Sequence, residues 1–290
     1  MDVLEKKEFS NKEDINTFLK EARNLVYKKL DPVIANLEGL ENLLFPEKQS
    51  SDEFALGNSQ KDLGNSQMEL HPSDIIARGV DYFNKNFEKE ENLAKKIFYL
   101  LKISTGIYCE WLVTLYAFEN FEKLAPDKLV SWFFENSKDR GVREETKNLL
   151  SEFVGYFKEY SNELYNLFSE NNVFENLENP LAIIYLYSVS KTTAENYLQF
   201  VSYEPLRTRF TQYFQDFANI EKVSHEVLKI IEEKYEKVYS DLLKKAEAFF
   251  KDKNGEVDKT AVDRFTEVWK KYKPKPKAEE KKIQIDSAYV

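Results

Sequence analysis

Apolar residues recur every three to four positions through each long segment of this chain, and little interrupts them. Near the N-terminus, Ile15, Phe18, Leu19, Ala22, Leu25 and Val26 fall at helical spacing. Further on, the set is Leu149, Leu150, Phe153, Phe157, Leu164 and Phe168. A strand would need alternation with period two, so this spacing selects helices. Eight glycines and eight prolines in 290 residues are too few for the turns of a β protein. The expected fold class is all-α, a multi-helix bundle with strand content near zero.

Breakers divide the pattern. Asn11–Leu44 reads as helical, with Asp31-Pro32 ending a first piece and a second piece running from Val33 to Phe45. Pro46–His71 is polar and carries LGNSQ twice, at Leu56–Gln60 and Leu63–Gln67. A repeated pentapeptide is too short for a repeat architecture, so a disordered loop is expected. Pro72-Ser73-Asp74 opens a helix to Phe87, with Ser73 as N-cap. Another helix is expected over Glu90–Lys123, then a turn at Ala125-Pro126-Asp127 and a short helix over Lys128–Glu135. Asp139-Arg140-Gly141 reads as a turn before the helix Val142–Glu170. Asn179-Pro180 starts Leu181–Val201, whose LAIIYLYSV opening implies burial on most faces. After Glu204-Pro205, Leu206–Lys251 reads as one long C-terminal helix. Its mean apolar step of about 3.6 favours packing over a sustained supercoil. Asn254-Gly255 ends it, and Val257–Tyr272 forms the last helix. The expected organisation is an N-terminal helical segment (1–45), a disordered loop (46–72), a main helical domain (73–272) and a disordered Lys/Pro tail (273–290).

Hydrophobic residues make up 42% of the chain, with 22 Phe and 17 Tyr, enough for an aromatic-rich core. The formal net charge is −9, and the one basic cluster lies at the C-terminal end, which disfavours general nucleic-acid binding. Cys109 is the only cysteine, so no intrachain disulfide forms and a reducing compartment fits. The opening MDVLEKKEFSNKED lacks a signal-peptide core. The most membrane-like stretch, Ile97–Phe118, is interrupted by Lys102 and Glu110, each costly in lipid. It reads as a buried helix. A soluble cytoplasmic protein, not integral to a membrane, is expected.

Chemistry-bearing groups are sparse. The histidines are His71 and His225, with no HExxH and no paired cysteine. Glu221 and His225 stand four apart and read as a solvated helix-face contact. Cys109, in Gly106-Ile-Tyr-Cys-Glu, lacks the second glycine of a nucleophile elbow and reads as buried and inert. Gly79, Gly106 and Gly155 read as close-packing positions. Glu110, in an apolar stretch, is the one acid that stands out; the ordinary reading pairs it with a neighbouring Lys or turns it to solvent. No catalytic residue, metal or cofactor is expected.

Leu186-Tyr187 begins a run ending in Tyr203-Glu204-Pro205-Leu206-Arg207. A long helix follows, carrying Tyr235-Glu-Lys-Val-Tyr-Ser-Asp-Leu-Leu-Lys-Lys-Ala246, and then Asp263-Arg-Phe-Thr-Glu-Val-Trp269. This order resembles the non-catalytic E subunit of class III polyhydroxyalkanoate synthases, over roughly Leu186–Trp269. In that family a further helical stretch and an Arg-rich end follow the Trp; here a Lys-Pro tail does. The resemblance implies an accessory subunit that acts through a catalytic synthase subunit, or at a polymer-granule surface. The alternative is a self-associating structural protein of viral type, and a third reading is a helical enzyme whose site the sequence does not display.

A single helix of about 45 residues would extend about 65 to 70 Å, longer than a domain of this size requires. Part of its stripe is therefore expected to meet a protein partner or a second copy. The candidate partner-binding residues are Ile231, Tyr235 and Val238, with Trp269 and Tyr272 as aromatic anchors. Beyond them, Lys270, Lys271, Lys273, Lys275 and Lys277 alternate with Pro274 and Pro276. Proline holds such a stretch extended. It is either a solubilising terminus or an electrostatic docking strand for an acidic partner or an anionic surface.

Overall fold

The computed structural model describes residues 12–46, 72–121, 139–204, 207 and 211–274. Eight α-helices occur among them: α1 (Lys12–Leu44), α2 (Pro72–Phe87), α3 (Leu93–Phe121), α4 (Asp139–Glu170), α5 (Pro180–Val201), α6 (Phe214–Tyr239), α7 (Leu242–Phe249) and α8 (Lys259–Lys271). A 3-10 turn at Thr211–Tyr213 leads into α6. The described residues contain no strand, only an isolated antiparallel bridge between Lys251 and Val257. The all-α bundle that the periodicity predicts is the fold.

The centre is built from α3 and α5. Helix α5 packs against α1, α3, α4, α6, α7 and α8, which explains its apolar opening. Helix α3 packs against α1, α2, α4 and α5. One buried cluster runs from Val26 on α1 to Phe265 on α8, so residues 26–45 share the core of the main helical domain. Asn179 caps α5: its side chain accepts from the Leu181 amide at 3.0 Å, and Pro180 sits in the first turn, where its missing N–H costs nothing.

Several boundaries differ from the sequence reading, each for a physical reason. Helix α1 continues through Pro32. The Lys28 carbonyl loses its ordinary donor there, but Leu30, Ile34, Leu37 and Leu40 are buried on both sides of the proline, and this burial outweighs one lost bond. Helix α2 begins at Pro72, which places Ser73 inside the first turn rather than at the cap. Asp139-Arg140-Gly141 is the first turn of α4, not a separate turn. The long C-terminal helix is divided. After Tyr239 the Asp241 amide bonds to the Val238 carbonyl at 3.2 Å, a tightened i−3 turn, and α7 starts afresh at Leu242. Ser240 and Asp241 favour such an interruption, because their side chains compete for backbone groups. Helix α6 alone, with 26 residues, spans about 39 Å. No rod projects from it.

The turn between α7 and α8 is locally determined. Asp252 Oδ1 accepts from the amides of Asn254 and Glu256, both at 2.8 Å, and Gly255 takes φ +83°, which side-chain-bearing residues rarely adopt. Gly39 has a different role. A methyl group there would lie 2.8 Å from the Tyr185 ring, so this glycine lets α1 and α5 approach. Gly155 has open space around it and is not a packing glycine. The loop expected at 46–71 falls outside the described residues except for Pro46. So do the turn and short helix expected over 125–135, and the tail beyond Pro274.

Candidate functional site

The two charges that interrupt the apolar helix are both matched from α1. Arg23 Nη2 donates to Glu110 Oε2 at 3.0 Å and Arg23 Nε to Oε1 at 3.3 Å. The two side chains are 2% and 1% exposed. Eight residues earlier, Lys102 Nζ donates to Glu41 Oε1 at 2.9 Å. Glu110 therefore neither faces solvent nor pairs with a lysine; a forked guanidinium from a helix 87 positions away satisfies both its oxygens. Beside it, burial pushes the hydroxyl of Tyr27 and the thiol of Cys109 well above their ordinary ranges, with the Glu110 charge adding to both. Cys109 stays a protonated, inaccessible thiol, and this region is a packed interior.

The candidate partner-binding residues separate into two groups. Ile231 and Tyr235 are 0% exposed and belong to the core. Tyr235 stacks on Tyr187 of α5 with ring centroids 3.7 Å apart and planes 6° from parallel. These two residues offer no surface to a partner, because the interrupted helix lies flat on α4 and α5. Val238, Trp269 and Tyr272 are half-buried and pack against the same core. Trp269 stacks on Tyr239 at 5.1 Å, its Nε1 donates to the Tyr239 carbonyl at 3.2 Å, and the Tyr239 hydroxyl donates to the Trp269 carbonyl at 3.1 Å. Asn36 Nδ2 donates to the Tyr272 hydroxyl at 2.6 Å and to Ser188 Oγ at 3.0 Å. Trp269 and Tyr272 are anchors, but what they anchor is α8, onto α1, α5 and α6 of the same chain.

A surface groove of about 310 Å³ lies beside α6, with the chain just past α8 at its edge. His225, Leu228, Lys229, Glu232, Glu233 and Glu236 line one side, spaced 3, 1, 3, 1 and 3 residues apart along a single face of α6. Tyr187 of α5 lines it as well, and Pro274, just past α8, forms its edge. The stripe lies one residue beyond the buried positions Ser224, Val227, Ile231 and Tyr235, which is why it faces outward. Three carboxylates and one lysine give it a negative balance. Glu232 also receives Lys191 Nζ at 2.6 Å, and Lys191 lies over the Tyr187 ring. Burial acts to lower the Lys191 pKa, but the Glu232 carboxylate outweighs it and the value is raised. Glu221 does not engage His225; it accepts from Arg207 Nη2 at 3.3 Å, and His225 sits at the groove instead.

Two exposed aromatics lie away from this groove: Phe214, 57% exposed and under the Arg207 guanidinium, and Phe249, 45% exposed beside Phe250. Among the described residues, no group of three or more His, Cys, Asp or Glu side chains is placed to hold a metal ion. No helix among them is long and apolar enough to cross a membrane. Compared with known proteins, the chain matches no family model, no curated protein and no solved structure.

Sequence reasoning missed the groove although its pattern was visible. The acidic positions stood next to an apolar stripe that was read as the binding face. The two faces exchange roles once α6 lies against α4 and α5.

Proposed function

We propose that this chain is a non-catalytic interaction protein whose α6 groove takes an extended, lysine-bearing segment of a protein partner. The groove itself carries this reading. It offers Glu232, Glu233 and Glu236 at helical spacing, an aromatic ring at Tyr187 and an apolar contact at Leu228. An extended segment can place charges on the carboxylates while its backbone or prolines meet the apolar surface. The polar groups that stand out for chemistry, Glu110 and Cys109, are already consumed in packing. The resemblance over Leu186–Trp269 makes a polyhydroxyalkanoate synthase subunit the first partner to test. Of the positions that carry it, Leu186, Tyr187 and Tyr235 lie in the core and Trp269 packs against it, so they support a shared helical arrangement more directly than a shared partner.

The test is fluorescence anisotropy with a labelled peptide that alternates Lys and Pro, against the full chain. Binding should weaken with salt, because the Debye length falls from about 10 Å at 0.1 M to about 3 Å at 1 M. The Glu233→Gln/Glu236→Gln chain should bind several-fold more weakly with an unchanged melting temperature. Equal binding by both chains would remove the groove as the site.

A further inference from the structure

The charges along the groove are not equally open to a partner. Glu232 is taken by Lys191, whose ammonium also lies over the Tyr187 ring, so this carboxylate belongs to the wall. Glu236 has an interaction of its own. Lys229 and Glu233 differ. Both line the groove, both are exposed, and neither has a hydrogen bond or ion pair among the described residues. They stand four residues apart on α6, about 6 Å along its axis. The lysine comes first, and a helical pair in that order attracts less than one with the acid first, which leaves both charges available. The same groove carries the apolar surface of Leu228, Tyr187 and Pro274. Low-dielectric walls of this kind strengthen the field of a nearby charge compared with open water.

We propose that the groove reads a pair of opposite charges: Glu233 takes a basic residue of the partner segment, and Lys229 takes an acidic residue two positions away from it. The inference rests on the groove reading given above and names the motif of the partner. The spacing supports it. In an extended segment, residues i and i+2 point to the same side and lie about 6.4 to 6.8 Å apart, close to the step from Lys229 to Glu233. Adjacent residues point to opposite sides, so one segment cannot offer them both to α6. Either chain direction satisfies the pair, which makes spacing rather than order the signature.

The two residues then have separate roles. Glu233 supplies attraction to any lysine-bearing segment. Lys229 supplies discrimination, because a segment with a second lysine at the matching position meets a like charge there. Each contact is an exposed ion pair, so the preference it produces is modest and salt-sensitive.

The experiment uses two labelled peptides of identical composition, followed by fluorescence anisotropy at low salt. One is Thr-Lys-Thr-Glu-Thr and the other is Thr-Thr-Lys-Glu-Thr, so only the spacing of the charges differs. The alternating Lys-Pro peptide is run beside them. Three full-length chains are compared: native, Lys229→Gln and Lys253→Gln, the last removing the same charge from an exposed position in the α7–α8 turn. The native chain should bind the spaced peptide about two- to five-fold more tightly than the adjacent one, the range for one exposed ion pair. Lys253→Gln should keep that preference, and Lys229→Gln should bind the two peptides alike. If the native chain binds the Lys-Pro peptide but does not distinguish the other two, the groove reading stands and the charge-pair motif is overturned. A preference that survives in Lys229→Gln, or that disappears equally in Lys253→Gln, overturns Lys229 as the discriminating residue. If no peptide binds any chain, the groove reading itself has failed and the motif falls with it.

Discussion

The contact between α1 and α3 and the contact of α5 with α6 bring helices together in different ways. On the first side, charge fixes the partner. Arg23 meets Glu110 and Lys102 meets Glu41, with Phe45, Phe98 and Tyr99 packed edge to edge beyond them. Around the second, flat rings stack: Tyr187 on Tyr235 between α5 and α6, Phe157 of α4 on Phe200 of α5, and Tyr239 of α6 on Trp269 of α8. Ionic matching is directional and expensive to leave half made, so it selects one register. Ring stacking tolerates small shifts and contributes through area. The second side also leaves polar atoms unmatched. Ser190, Thr193 and Ser224 hydroxyls and the Tyr235 phenol are buried with no hydrogen-bond partner among the described residues.

The largest expected effect separates the two sides directly. Glu110→Ala should destabilise the fold by about 3 to 5 kcal/mol, because it strands a buried guanidinium. The double variant Arg23→Met/Glu110→Leu should recover most of that loss in chemical denaturation. A double variant no better than the single one would show that the pair does more than neutralise itself. Tyr235→Ala should cost a similar 3 to 5 kcal/mol, roughly the range for a large buried ring, and no second substitution at Tyr187 should restore it.

Alkaline pH should weaken the aromatic side. Burial raises the hydroxyl pKa values of Tyr187, Tyr197, Tyr235 and Tyr239 there, and on α3 it also pushes Tyr108 up to about 12. Unfolded tyrosines titrate near 10. Each raised group therefore contributes stability that is intact below pH 10 and is lost as pH climbs through its folded value. The slope is about 1.4 kcal/mol per pH unit for each such tyrosine. Melting temperature followed from pH 8 to 12 should be level at first and then fall steeply. A level profile to pH 12 would mean that these hydroxyls reach solvent.

The smallest effect tests the unmatched atoms. Tyr235→Phe removes a phenol with no partner and should leave stability unchanged or raise it by up to about 1 kcal/mol. Tyr197→Phe removes a phenol bonded to Ser104 Oγ at 2.6 Å and should lower stability by about 1 kcal/mol. Equal losses from the two substitutions would show that Tyr235 is satisfied after all.

Periodicity alone determined the all-helical class and the burial of α5. The helical period shows in local spacing: a stripe at 3.6 residues matches one face of a helix. The tertiary structure decided the rest. It carried α1 through Pro32, because burial on both sides outweighed one lost bond. It ended α6 after Tyr239, where α7 turns to pack on α5 and α8. It matched Glu110 with Arg23 across 87 residues, a pairing no local pattern encodes. It turned Ile231 and Tyr235 inward and left the acidic face beside them in the open, next to Pro274. An amphipathic stripe states that a face must be covered; only the packed chain determines which neighbour covers it.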